Sequence, residues 1–406
     1  MQNKAPKPLI AIACGGTGGH FFPGLAVAEA LQMRGCKLLL LISPKEVDQQ
    51  AVRTLRGMEV ATLPAVGLEQ GRGTAFLTGF IRSWGMARRL FRTHRPAAVL
   101  GMGGFTSAPP VLAGIRRGSM AFLHEANSIP GRANRWLAHV VDEAFVYFQE
   151  ASGRLWQQRV QTTGMPVRSQ FEEQDPGACR VALGLKPDKP VLLIMGGSQG
   201  ATTLNDLVLR LLPSLALLEP GLQFIHLTGQ RDAERARAAY SATGRKAMVA
   251  PFLTEMEMAL GAATVAISRA GASSLAEIAA MGIPSILVPY PTAADNHQYF
   301  NARAFAETGA ARYQLQAKAT PETLLWEIRE LLKESVVRKV IRDALRQWAF
   351  PQAADAVAQA IIASLPPQSR SQLNLNHSSS TNELPAWQPP MPLTGPSRAT
   401  APPVVE

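Results

Sequence analysis

The chain reads as an α/β protein built from two doubly wound domains, and three observations carry that expectation. Short, wholly apolar runs recur, each leading directly into glycines, as buried parallel strands do. Longer amphipathic stretches lie between them, as crossover helices do. The form Pro-apolar-Gly-Gly occurs at 8–16 and again at 190–197, so one fold type is used twice.

The elements follow in order. Pro8 to Cys14 is a strand, with GGTGGH (15–20) as its exit loop and Pro23 to Met33 as the first helix. Thr74 to Phe91 has helical spacing: Phe76, Leu77, Phe80, Ile81, Trp84 and Leu90 share one face, with Arg82, Arg88, Arg89 and Arg92 beside it. Ala97 to Leu100 is a strand entering GMGGF (101–105). A first domain is expected over 1–165 and a second over 166–350, the latter opening with the strand Pro190 to Met195 and the loop GGSQG (196–200). Thr264 to Ile267 then leads into SRAGASS (268–274), and Pro321 to Lys333 is a further helix. A helix over 351–365 is expected to return to the first domain. From Pro366 the last 41 residues hold nine prolines and six serines, the composition of a disordered tail over 366–406.

Charge narrows the function. The net charge is +11, and the 55 residues from Gln70 to His124 hold eight arginines and no Asp or Glu. One basic face, rather than an evenly basic chain, points to a membrane surface or an anionic substrate; no nucleic-acid module accompanies it. Three cysteines without C-x-x-C spacing indicate reduced thiols, with neither a disulfide framework nor a structural zinc site. No apolar run approaches the ~18 residues of a membrane span, so membrane contact is expected to be peripheral.

The glycine loops suggest the ligand. Where a strand exits through glycine into a helix, the backbone closely approaches a phosphate and the helix N-terminus supplies N–H groups. Three loops qualify: 15–19, 196–200 and 271–274. None matches G-x-x-x-x-G-K-[ST], none has the ribose-binding acid of a dinucleotide fold at the usual distance, and no Asp-x-Asp is present to hold a divalent ion. In SRAGASSLAE, Ser273 and Ser274 stand at a helix start with Glu277 one turn on. Two readings remain open: a carboxylate for paired hydroxyls, or a capping box with Ser274 as N-cap and Glu277 at N3.

GGTGGHFFPGLAVAEAL (15–31), GMGGFTSAPP (101–110), HEANSIPGRANRWLA (124–138), GMPVR (164–168), GGSQGATTLN (196–205) and the stretch 268–302 together resemble the MurG family, the GlcNAc transferases of peptidoglycan synthesis. The likeness runs from about residue 8 to 365. It implies a GT-B fold, two Rossmann-like domains facing across a cleft. It implies inverting, metal-independent transfer of GlcNAc from UDP-GlcNAc to the 4-hydroxyl of MurNAc in lipid I, giving lipid II, with no cofactor. The place of action is the cytoplasmic face of the bacterial inner membrane, where an anionic bilayer and other cell-wall synthesis proteins are the implied partners. Carried over by motif, donor binding falls to Thr17, Gly18, Gly19, Asn127, Arg168, Ser198, Leu253 (uracil, through its backbone), Ala272, Ser273, Ser274, Leu275, Ala276, Glu277 (ribose) and Gln298 (sugar). Ser198, Ser273 and Ser274 would meet the diphosphate.

For the base that takes the acceptor proton, His20 is the first candidate, with binding alone as its alternative. Glu125, paired with His124, is the second; its alternative is to hold backbone N–H groups of the 124–131 turn. Asn134 and Asn205 are expected to orient neighbours or substrate. Phe76, Phe80, Ile81, Trp84, Arg88 and Arg89 are expected at the membrane, against the alternative of an ordinary core helix. Four residues depart from the family pattern: Phe105 for Tyr, Ala126 for an amide, Met165 for Asn, and Ser273 for an apolar residue. Two rivals remain, a GT-B transferase acting on another glycolipid and a sugar-nucleotide-binding protein without transfer.

Overall fold

The computed structural model describes residues 7–16, 18–45, 49, 57–64, 73–197, 200–370 and 373. Two all-parallel sheets form the framework. The first has the order β3-β2-β1-β4-β5-β6-β7, from β1 (Leu9–Ala13), β2 (Lys37–Ile42), β3 (Glu59–Thr62), β4 (Ala98–Gly101), β5 (Met120–Glu125), β6 (Glu143–Val146) and β7 (Val160–Thr162). The second has the order β10-β9-β8-β11-β12-β13, from β8 (Val191–Met195), β9 (Gln223–Leu227), β10 (Ala247–Ala250), β11 (Val265–Ser268), β12 (Ser285–Leu287) and β13 (Arg312–Tyr313). Helices cover both faces of each sheet, which is why LIAIA in β1 and VLLIM in β8 are apolar at every position.

In both sheets the winding reverses beside the first strand. β1 lies between β2 and β4, and β8 lies between β9 and β11. Ligands of such sheets bind beyond the carboxyl ends of the strands at this reversal. Here each reversal is flanked by two of the glycine-rich exits.

The domains interlock at their cores. Tyr147 and Phe148, just after β6, are buried within the core of the second domain. They meet Trp348 and Phe350 of the returning chain, and Tyr147 Oη donates to the Trp348 carbonyl at 3.1 Å. Gly164 has φ +82° and Phe350 fills the space where its Cβ would stand, so only glycine fits. The helix Ala353–Ser364 then packs Val357, Ala358, Ile361 and Ile362 into the first domain's core against the helix Gly18–Met33. Arg34 anchors it through Asp355 at 2.6 Å.

Three expectations are corrected here. The first helix spans Gly18–Met33 rather than starting at Pro23, so the second half of the GGTGGH loop is helical. Residues 366–370 and 373 belong to the folded body, with a helical turn at Pro367–Arg370 and Leu373 buried in the first domain's core. The rest of the expected tail lies outside the described residues. The helix Gly73–His94 divides its apolar stripe. Phe91 and Ala87 are buried, and Phe80 and Trp84 pack partly buried on the core, while Leu77 (57 % exposed) and Ile81 (54 %) face outward. Trp84 and Phe80 are therefore mainly packing residues. Arg88 and Arg89 are exposed, with the Arg88 guanidinium 5.5 Å from the Trp84 ring.

Candidate functional site

A cleft of about 430 Å³ lies where the two reversals face each other. One wall is Gly18, Gly19, His20, Phe22, Ala126 and Asn127 of the first domain. The other comes from the second domain: Gly197 after β8, the run Pro251–Thr254 after β10, Gly271–Ser274 with Glu277 after β11, and Gln298. Arg168 lines it at the crossing between the domains.

His20 sits in the first turn of its helix, and its ring rests on Gly103 and Gly104 after β4. A Cβ at Gly103 would stand 3.1 Å from His20 Nε2, and one at Gly104 would stand 3.3 Å from Cε1. Both glycines have positive φ, +106° and +70°. GMGGF is thus a cradle in which the missing Cβ atoms let the imidazole approach the backbone closely, and His20 also lines the cleft. Phe105, next in the chain, packs edge-on against Phe76 at 5.3 Å and belongs to the wall behind.

Glu125 and His124 do not reach the cleft. Glu125 is buried, and both its oxygens are occupied. Oε1 accepts from the Asn127 backbone N–H (2.8 Å) and Nδ2 (3.2 Å); Oε2 accepts from the Gly131 N–H and Asn134 Nδ2, each at 2.9 Å. Burial pushes its carboxyl above the usual range, and these four donors oppose that. His124 is fully buried and donates from Nε2 to the Gly164 carbonyl at 3.0 Å. Burial pulls its imidazole down to about 4. This geometry supports the turn-holding alternative for Glu125 and speaks against either residue as the base. Asn134, also buried, splits Nδ2 between the His124 carbonyl and Glu125.

The opposite wall offers open donors. The helix Ala272–Ala280 starts after Gly271 with no side chain capping it, so its first N–H groups face the cleft. Ser274 is not an N-cap and Glu277 is not at N3, which removes the capping-box reading. Ser273 Oγ instead donates to Glu277 Oε1 at 3.4 Å. Glu277 borders the cleft deep between the domains, where desolvation pushes its carboxyl up to about 7 against the pull of Arg168. Leu275 and Ala276, expected at the donor, are instead buried in the second domain's core.

Gln298 Oε1 accepts from the backbone N–H groups of Tyr290 (3.0 Å) and Ala270 (3.3 Å), which fixes its NH2 as the half left for a ligand. Arg168 lies between Phe22 (4.7 Å) and Phe171 (5.1 Å), 3.6 Å from Glu257 Oε2. Asn205 is away from the cleft. It donates to the Thr228 carbonyl (2.9 Å) and Asp232 (2.8 Å) and accepts from His226 Nε2 (3.0 Å), bracing the start of its helix. Thr17 and Ser198 lie outside the described residues.

Phe22, Phe252, Met256 and His297 also line the cleft and were not anticipated. Phe22, Phe252 and Met256 are apolar and carry no chemical signature; His297 donates from Nδ1 to the Ala294 carbonyl at 2.7 Å. Asn301 was missed too, although it stands inside the quoted stretch 268–302.

The glycosyltransferase family 28 N-terminal domain matches residues 10–146, and the family 28 C-terminal domain matches 191–356. A UDP-N-acetylglucosamine–N-acetylmuramyl-(pentapeptide) pyrophosphoryl-undecaprenol N-acetylglucosamine transferase of Desulforudis audaxviator is 36 % identical over 365 residues, covering 87 % of this chain and 97 % of the relative. The protein of the same name from Moorella thermoacetica is also 36 % identical, over 87 % and 98 %. The crystal structure of Acinetobacter baumannii MurG superposes with a TM-score of 0.67 at 29 % identity, covering 88 % of this chain and 99 % of that one. A Listeria monocytogenes protein described as a UDP-N-acetylglucosamine 2-epimerase reaches the same TM-score at 15 % identity, a likeness of fold alone.

Proposed function

The chain belongs to glycosyltransferase family 28, to its MurG group, and from that premise we propose how its cleft carries out the group's reaction. The protein is a UDP-sugar hexosyltransferase with a GT-B fold. It moves GlcNAc from UDP-GlcNAc to lipid I and so forms lipid II in peptidoglycan synthesis.

In our reading, uracil lies against the backbone of Leu253, the ribose hydroxyls meet Glu277, and the diphosphate lies at the N-terminus of the helix Ala272–Ala280 with Ser273 and Ser274. The NH2 of Gln298 meets the sugar. Arg168 and the helix N–H groups stabilise the departing UDP electrostatically. His20, on the facing wall, takes the proton from the acceptor's 4-hydroxyl as that oxygen attacks the anomeric carbon from the side opposite UDP. Glu125 and His124 position the turn behind it. The observation that supports this most is the division of labour across the cleft. An imidazole in a glycine cradle faces open helix N–H groups and a deep carboxyl, at two facing sheet reversals.

No helix among the described residues is long and apolar enough to cross a membrane. We place the bilayer contact on the outer face of the helix Gly73–His94, where Leu77 and Ile81 are flanked by Arg82, Arg88 and Arg89. This would hold the domain at the cytoplasmic leaflet that carries lipid I.

The decisive experiment follows UDP release from UDP-GlcNAc with a lipid I analogue, with and without EDTA. Release that needs the acceptor and survives chelation supports the reading. No release would sink the transferase assignment, and loss only on chelation would sink the metal-independent step.

A further inference from the structure

The helix His297–Glu307 grips both domains. Its first turn carries Gln298 at the cleft. One turn on, Asn301 is fully buried and every hydrogen-bonding position of its amide is filled. Nδ2 donates to the Ala270 carbonyl (3.1 Å) and to Asn127 Oδ1 (3.0 Å), and Oδ1 accepts from the Ser128 N–H and Oγ, each at 3.0 Å. The orientation is fixed by chemistry, because a carbonyl only accepts and a backbone N–H only donates. Ala270 immediately precedes Gly271, where the phosphate-facing helix begins. Asn127 and Ser128 belong to the other domain.

The link continues through Asn127 into Glu125, and from Glu125 to the Gly131 N–H that opens the helix Arg132–Leu137. From that helix Arg132 and Arg135 reach back across to Asp295, at 3.1 and 2.6 Å. The contacts therefore close a loop, with Asn301 as its buried joint and Asp295 as its rim.

We propose that Asn301 is an interdomain positioning residue that sets the distance between the donor diphosphate helix and the wall bearing Asn127 and the His20 cradle. The proposal rests on the functional reading above and deepens it. In the functional reading above the UDP part of the donor meets Leu253, Glu277 and the start of the helix Ala272–Ala280, all in the second domain, so disturbing Asn301 should impair turnover and leave UDP binding nearly intact.

The test is Asn301→Asp, which keeps the shape and the contacts to Ser128 but turns two donors into oxygen lone pairs facing oxygen. At pH 8, kcat is expected to fall by about tenfold or more, while UDP affinity by calorimetry stays within about threefold. A buried carboxyl among carbonyls has a raised pKa, and once protonated it regains an O–H donor. The variant's kcat relative to wild type should therefore recover as pH falls. A ratio flat with pH, or a loss seen in UDP affinity instead, overturns the proposal.

A second measurement needs no catalysis. Arg135→Cys with Asp295→Cys, joined by a short bis-maleimide, should crosslink more slowly when Asn301→Asp is added. An unchanged rate overturns the clamp. A wild-type chain that never releases UDP from UDP-GlcNAc overturns the functional reading instead, and the crosslinking rate then decides the clamp alone.

Discussion

The two domains open alike, strand to glycine loop to helix, yet their cleft walls are built on opposite principles. In the first domain the polar side chains behind the wall are mostly taken up internally: Glu125 takes four N–H donors and Asn134 serves Glu125 and the His124 carbonyl, with His124 Nδ1 and Asn134 Oδ1 left buried without a hydrogen bond, while His20 and Asn127 border the cleft. In the second domain the wall leaves backbone donors open at Gly271–Ser274 and places a desolvated carboxyl, Glu277, at their edge. The difference teaches that a motif residue's identity does not reveal its task. A residue whose hydrogen bonds are all internal is scaffold, and one whose capacity faces the cleft is available to substrate.

The most forceful way to break this contrast is His20→Ala. If His20 is the group that takes the acceptor proton, kcat should fall by ~10²–10⁴-fold, with UDP affinity little changed and the melting temperature held. Equal losses in kcat and affinity would make it a binding residue.

On the donor wall, the raised pKa of Glu277 predicts a pH dependence. If its carboxylate accepts from the two ribose hydroxyls, as proposed, protonation weakens that grip. The folded-state pKa is near 7, above the usual value, so the binding-competent form grows as pH rises. UDP affinity should strengthen by about tenfold from pH 6 to 8. In Glu277→Gln the profile should be flat and the affinity weak throughout, both read by calorimetry. A wild-type profile without a slope would remove Glu277 from the ribose.

Glu125→Gln sharpens the scaffold side. The new NH2 meets existing N–H donors, so about 1–3 kcal/mol of stability should be lost. The melting temperature should fall by several degrees along with kcat. A variant that kept its melting temperature and lost only kcat would restore Glu125 as a candidate base.

Much of this was legible in the sequence, for a physical reason. Where backbone makes the site in a left-handed conformation, glycine is favoured, so the cradle at 103–104 and the exits near 16 and 197 show themselves as glycine clusters. Glu277 and Gln298 were legible through their motif. What was not legible depends on partners distant in sequence. Whether Glu125 faces substrate or the Gly131 N–H turns on the path of the following loop. Leu275 and Ala276 stand in the contiguous run carried over by motif, and helical periodicity sends their side chains to the core. Asn301 meets Ser128 only because two domains interlock, and no local pattern records that Tyr147 and Phe148 belong to the other domain's core. Phe80, Trp84, Leu77 and Ile81 follow one helical stripe that is apolar on both its inner and outer margins, so spacing could not divide them.

That division supports the smallest of the expected effects, and it extends the comparison from the cleft to the outer surface. The first domain also carries an exposed apolar pair among arginines. Leu77→Ser with Ile81→Ser removes side chains already more than half exposed, so folding loses little. If these side chains enter a bilayer, each contributes about 1 kcal/mol to binding, and the pair should weaken sedimentation with anionic vesicles by roughly tenfold or more. The melting temperature should stay within about a degree of wild type. Trp84→Ser should do the reverse, lowering the melting temperature with less effect on vesicle binding, because Trp84 packs on the core beneath. Added salt should weaken wild-type binding, since the flanking arginines are screened. Should the Trp84 variant lose vesicle binding and the double variant keep it, the membrane would lie on another face of this helix.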